Sequence, residues 1–291
     1  MDKEIRQGVK TFFLNADPSM SPDDSQLQVL LRSGFEVHRL PETRLIPLAD
    51  QIACLVGLFP ELIVYLNVES YEGGDWPAFI GQLAQTHGNR LKLGVLHHRD
   101  DPAERRALEQ TYLFDLRLQA GCVYVPVRNS FDLPLIHRLL VANHASGRRR
   151  AVRLSCHGRL NLVSGGRRFE GRVTEVSVSH FLCTFRGADP GFSEATRWND
   201  VQLVLGGAVV RSDAVVLLKR VAPQSDGELV YVCGFVQPNG QLETPPEVLG
   251  PLLRLIQEQL EQGVSSLVLE AFQRRWAARV LGGSPAPVPV S

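Results

Sequence analysis

The sequence has no excess charge, no paired cysteines and no long apolar run, and each absence removes a class of function. Of 291 residues, 31 are Lys or Arg and 31 are Asp or Glu, so the formal net charge is zero. A balanced surface offers no general field for nucleic acid or anionic lipid, so DNA is not an expected partner. No apolar stretch approaches the roughly 18 residues that a membrane span needs. The run Thr11–Leu14 is too brief for a secretory signal. The five cysteines, Cys54, Cys122, Cys156, Cys183 and Cys233, stand singly. Their spacing does not suit zinc, and an odd total does not suit a disulfide framework. They read as reduced, buried small hydrophobes of a cytoplasmic protein, with no metal site.

What is present divides into two parts with different patterns. From Lys10 to about Ala145, short apolar strands alternate with helical stretches. Thr11–Leu14, Phe35–Leu40, Leu62–Val68, Leu91–Leu96 and Cys122–Val127 read as strands. Between and after them, Asp24–Ser33, Thr43–Leu58, a segment capped by Asp75, a segment opened by Asp101-Pro102, and Asp132–Asn143 read as helices. Five βα units in a row require a doubly wound parallel sheet, because parallel strands need helical crossovers. His144–Gly147 then reads as a linker.

Beyond it, strands follow one another without helices: Val152–Asn161, Arg168–Ser177, Phe181–Phe185, Asp200–Leu205, Val209–Lys219 and Leu229–Val236. Gly165-Gly166 marks a hairpin, and the whole predicts a small antiparallel β-barrel. Thr244-Pro245-Pro246-Glu247 has capping-box spacing and opens a helix with Leu249, Leu252, Leu253, Ile256 and Leu260 on one face and Gly263 as its end. Ser265–Leu281 reads as a further helix with Leu269, Phe272, Trp276 and Val280 at helical spacing, and the Pro-rich Gly282–Ser291 as a disordered tail. The expected division is therefore 1–145, 146–262, 263–281 and 282–291.

The first 145 residues resemble, in their order of elements, the receiver domain of bacterial response regulators. Such a domain needs acidic residues after the first strand for magnesium, an aspartate ending the third strand and a lysine ending the fifth. Here the first strand leads into Asn15-Ala16-Asp17, Asn67 stands where the nucleophile would be, and Val125 precedes Pro126 in place of lysine. An amide cannot form an acyl phosphate, so the resemblance implies a pseudo-receiver without catalysis. His97-His98 and Asp100-Asp101 lie past the fourth strand, where open α/β sheets place ligands. They read as a solvated loop rather than a metal site, because adjacent strand residues point oppositely.

In the second part, Arg148, Arg149 and Arg150 precede Arg153, giving an Arg-x-x-x-Arg pair at 149 and 153. Glu175-Val176-Ser177-Val178-Ser179-His180 follows 22 residues after Arg153. With the later Trp198–Leu203 strand, Tyr231–Phe235 and the capped helix, residues of about 147–262 resemble the PilZ family. That family has Arg-x-x-x-Arg, then Asp/Asn-x-Ser-x-x-Gly, a barrel and a closing helix, and its members are commonly cyclic di-GMP receptors. The resemblance implies Arg149 and Arg153, with Arg148 and Arg150 beside them, and Glu175, Ser177 and His180 as ligand-binding residues. A guanidinium fork suits phosphate oxygens and the guanine O6/N7 edge. Glu175 departs from Asp/Asn, and His180 departs from a glycine suited to positive φ and close approach.

Two functions stay open at this point. One is a non-enzymatic signalling protein that binds cyclic di-GMP and passes the signal on by protein contacts. The other is a degenerate adaptor that binds no nucleotide and regulates motility, pilus or related machinery through protein partners alone. Ser265–Leu281 is expected to pack on the barrel or the preceding helix, with self-association through Trp276 as the alternative.

Overall fold

The computed structural model describes residues 8–14, 20–40, 45–69, 74–126, 131–147, 151–185, 189–221 and 228–280. The expected disordered tail, the loop after the first strand with Asp17, and Arg148–Arg150 lie outside these residues. The chain divides into two compact units, one formed by Met1–Arg150 with Leu260–Ser291 and the other by Ala151–Gln259.

In the first unit, β1 (Lys10–Leu14), β2 (Val37–Leu40), β3 (Leu62–Asn67), β4 (Leu91–His97) and β5 (Gly121–Tyr124) form a parallel sheet in the order β2-β1-β3-β4-β5. This is the flavodoxin-like doubly wound order expected from five βα units. The crossovers are α1 (Asp24–Arg32), α2 (Leu48–Leu58), α3 (Trp76–His87) and α4 (Pro102–Glu109), which runs on into a π turn, Gln110–Asp115; α5 (Leu133–Ala142) follows β5. All six residues of β3 are buried, as a central strand covered on both faces requires. One face packs Phe12, Leu14, Val64 and Leu66 against Leu55 and Ile80; the other packs Phe13, Ile63, Tyr65 and Leu96 against Leu27, Leu30, Ile136 and Leu140.

Helix starts follow their caps. Asp23 makes a full capping box with Gln26, and the Asp101 carboxylate accepts from the Ala103 and Glu104 amides at 2.8 and 3.0 Å. Helix α2 begins at Leu48 rather than Thr43, because Pro47 serves as its N-cap and disfavours helical geometry before it.

The expectation for His97 is corrected. It is the last residue of β4, 1% exposed, with its Nδ1 lacking a hydrogen-bond partner among the described residues. The strand simply extends one residue further into the covered sheet. Burial lowers the pKa of His97, with the carboxylates of Glu69 and Glu109 opposing. An imidazole whose folded pKa lies below its unfolded value binds protons more readily when unfolded. Its neutral form is therefore compatible with the fold above about pH 6.5, and acidification below that favours unfolding. A thermal midpoint that falls from neutral to mildly acidic pH, with a shallower fall in His97→Gln, is the expected result of scanning calorimetry.

The second unit is a closed antiparallel barrel in the order β10-β11-β8-β7-β6-β9. Its strands are β6 (Arg153–Ser164), β7 (Arg167–Ser177), β8 (His180–Phe185), β9 (Arg197–Leu205), β10 (Ala208–Val221) and β11 (Leu229–Val236). Gly165 and Gly166, at φ 56° and 75°, make the expected tight β6–β7 turn. Closure leaves no unpaired edge. Inside lie Trp198 and Tyr231, each 1% exposed, with Phe185 and Phe192 packed edge-on against Trp198.

A single helix, α6 (Pro246–Val280, 35 residues), closes the sequence of elements. Two expectations are corrected here. The helix starts at Pro246, so Thr244 is not its capping residue: Pro245 supplies the carbonyl that accepts from Val248 and Leu249. The prolines move the start inward, since Pro suits the first helical position. Nor does Gly263 end a helix. It lies mid-helix without positive φ, and the buried stripe continues in phase across it through Leu253, Ile256, Val264, Val268 and Ala271. Val264, Val268 and Ala271 join the core of the parallel sheet beside Leu55 and Leu62, rather than the barrel. Leu269 and Trp276, on the apolar spacing of the expected last helix, are 42% and 57% exposed. No helix among the described residues is long and apolar enough to cross a membrane.

A Cβ added at Gly263 would meet nothing within 4 Å. Gly263→Ala is therefore expected to raise stability by about 0.5–1 kcal/mol, read as a higher denaturation midpoint at unchanged slope.

Candidate functional site

The barrel brings together four of the residues singled out in the sequence. Arg153 opens β6 directly opposite Ser177 at the end of β7, while Ser155 stands opposite Glu175. Irregular pairing on both sides of this stretch, between Ser155 and Gly158 and between Val173 and Glu175, re-aims the side chains there. The Arg153 Nη1 donates to Glu175 Oε1 at 2.5 Å, with the two side chains 31% and 21% exposed. The arginine is thus held beside the β7–β8 turn.

Ser177 holds that turn in shape. Its Oγ, nearly buried, accepts from the His180 amide at 3.1 Å and lies 3.1 Å from the His180 carbonyl, to which it donates. This local bonding is the habit that makes serine a turn residue. Within the turn, the Val178 carbonyl accepts from the Thr244 hydroxyl, and the Ser179 carbonyl accepts from the Phe235 amide at 3.2 Å. Thr244 therefore ties the segment leading into α6 to the turn that carries Ser177. Reading Thr244 as a helix cap missed this role, and its local spacing alone gave no sign of a partner at Val178.

His180 starts β8 opposite Gly234 in an extended strand. The expectation of a positive φ at this position is overturned: His180 is not among the left-handed residues. A side chain is admitted here because strand pairing, rather than a left-handed turn, sets the backbone. Its Nδ1 lies 2.7 Å from Ser179 Oγ. Burial lowers the pKa of His180, and the Arg153 charge lowers it further. The imidazole is thus neutral at pH 7, and its ring adds no charge to the site.

Arg148, Arg149 and Arg150 precede this cluster and lie outside the described residues. Chemically, the described part offers one guanidinium, one carboxylate and one serine-pinned turn. A partly exposed ion pair contributes only about 0.2–1 kcal/mol. A hydrogen bond to a charged group is worth about 1.5–3 kcal/mol. An anionic ligand offering two acceptors can therefore draw Arg153 away from Glu175 at small cost.

The end of the parallel sheet holds different chemistry. Asn67 ends β3, buried, and its Oδ1 accepts from the Glu69 amide at 2.9 Å. Glu69 accepts from Arg99 at 2.8 Å. Val125 is buried, with its amide donating to the His97 carbonyl at 2.7 Å. Asp100 accepts from the Tyr124 hydroxyl, and Asp101 serves as the α4 cap. The positions compared with receiver chemistry thus carry an amide and an aliphatic side chain.

No family model matches the sequence, and no curated protein matches it. Among solved structures, the chain is similar to the PilZ domain of YcgR from Escherichia coli with c-di-GMP, at 17% identity and a TM-score of 0.33, covering 41% of this chain and 95% of that one. It is also similar to the Bacillus subtilis inhibitor of motility MotI/DgrA, at 14% identity and a TM-score of 0.32, covering 39% of this chain and 51% of that one. A third is the K. pneumonia MrkH–c-di-GMP complex, at 18% identity and a TM-score of 0.31, covering 43% of this chain and 55% of that one. The chain thus spans nearly all of the isolated domain but about half the length of the two longer proteins.

Proposed function

We propose that the barrel is a PilZ-type receptor for cyclic di-GMP and that the chain is a non-enzymatic signalling protein acting through protein contacts. The observation that carries this reading is the placement of Arg153 against Glu175 beside the turn pinned by Ser177. Arg153 supplies a planar fork for phosphate oxygens or a guanine edge. Glu175 accepts from the guanine N–H edge once the arginine turns to the ligand. The arginines at 148–150 precede Arg153 closely in sequence and add positive charge to this segment. The parallel-sheet unit serves as a docking surface, since Asn67 cannot be phosphorylated.

A second reading is favoured by one specific feature. The Arg153 guanidinium already has a carboxylate partner, and a half-buried imidazole stands where the PilZ motif has glycine. On that reading the barrel is an adaptor that binds no nucleotide and regulates motility or related machinery through protein partners.

Titration calorimetry with cyclic di-GMP separates the two. Saturable heat with micromolar or tighter affinity is expected of the receptor, and the absence of heat at high micromolar ligand leaves only the adaptor. Labelling with acetyl phosphate is expected to leave the chain unmodified under either reading.

A further inference from the structure

The outer face of the barrel carries a second cationic feature, midway along the β6–β7 hairpin between its glycine turn and the Arg153–Ser177 end. Arg159 on β6 and Arg172 on β7 are directly opposite each other, and both are exposed. Like charges facing each other across an antiparallel pair are destabilising. Neither guanidinium has an ion pair or hydrogen bond among the described residues. The row continues through Val204 beside Arg159, while Thr184 beside Arg172 is buried. The next row reads Glu170, Asn161, Gln202 and Arg211 across four strands. Against it lies a polar notch of about 290 Å³ whose lining includes Asn161, Arg168, Glu170, Asp200 and Gln202.

A pairing that opposes local stability, with no ion pair to either guanidinium among the described residues, marks a surface kept for something else. We propose that this face is a docking site for an acidic segment of a partner protein, whose carboxylates are gripped by Arg159 and Arg172. The composition of the face selects that class. A nucleic acid presents evenly spaced phosphates and binds through six to ten contacts, whereas this face offers few arginines and sets Glu170 one row away from them. A protein segment can place a carboxylate against each arginine and a donor against Glu170 and the amides. The site is separate from Arg153 and Glu175, so it stands whether or not the barrel binds a nucleotide.

The test uses the full chain and a fluorescein-labelled oligoglutamate peptide, followed by fluorescence anisotropy at about 0.15 M salt, where charges are screened beyond roughly 8 Å. Saturable binding is expected, weakened roughly tenfold or more in R159Q/R172Q, with no competition from a short DNA duplex of equal charge. Thermal melting of the same variant is expected to show an unchanged or higher midpoint, because the like-charge pair is gone. The proposal is overturned by a peptide that fails to saturate below about millimolar, by binding that the double substitution leaves intact, or by DNA that binds as tightly and is lost in the same variant.

Discussion

On the proposed receptor reading, Arg153→Ala is expected to bind cyclic di-GMP about a hundredfold more weakly than the parent chain, with calorimetry as the measurement that checks it. The magnitude follows from the chemistry of the lost group. Two charge-assisted hydrogen bonds from one fork contribute about 3 kcal/mol together after solvent exchange, and each 1.4 kcal/mol is tenfold in affinity. Arg153→Lys is expected to recover only part of this, since an ammonium keeps the charge but not the bidentate plane. Removing Arg153 also leaves Glu175 without its partner, so the companion variant is the double change with Glu175→Gln. If the loss arises from ligand contacts, the double variant stays weak. If it arises only from a stranded carboxylate repelling phosphate, the double variant recovers, and Arg153 is then no ligand residue.

Trp198→Ala is expected to cost the barrel about 3–5 kcal/mol. Trp198 is 1% exposed and packs against Phe185, Phe192 and Tyr231 at ring-centroid distances of 5.8, 5.2 and 6.2 Å. Those rings cannot all collapse into the space left behind, and domains are stable by only about 5–15 kcal/mol. Trp198→Phe is expected to cost less, roughly 1–2 kcal/mol. It keeps an aromatic face for Phe192 and deletes an indole N–H that has no hydrogen-bond partner among the described residues. Urea unfolding of the two variants checks the order: equal losses would show that filling the space matters less than the indole edge itself.

Much of the fold was legible because its strongest signals are local. Leu62–Asn67 is an unbroken apolar run ended by an amide, and it is the fully buried central strand. Asp75, Asp101 and Asp132 each announce a helix and each accepts from its first-turn amides, as Asp23 also does at the start of α1. The candidate site was legible in part because each of its two motifs is short and local, and the β6–β7 hairpin then brings Arg153 and Glu175 together. What stayed hidden depends on partners distant in sequence. Gly263 reads as a stop until Val264 and Val268 are seen to have the parallel sheet's core to bury against. Pattern alone could not say which side of that helix faces inward: Val264, Val268 and Ala271 are buried, while Trp276 is exposed. The bond from Thr244 to Val178 spans 66 residues, and no spacing rule reaches that far.

The closing helix makes the parallel-sheet unit discontinuous in the chain. The barrel is an insertion between α5 and the residues that complete the sheet's apolar layer, Val264, Val268 and Ala271. A fragment cut after the linker would leave that layer uncovered, and folding during synthesis must leave the sheet unfinished until the last segment emerges.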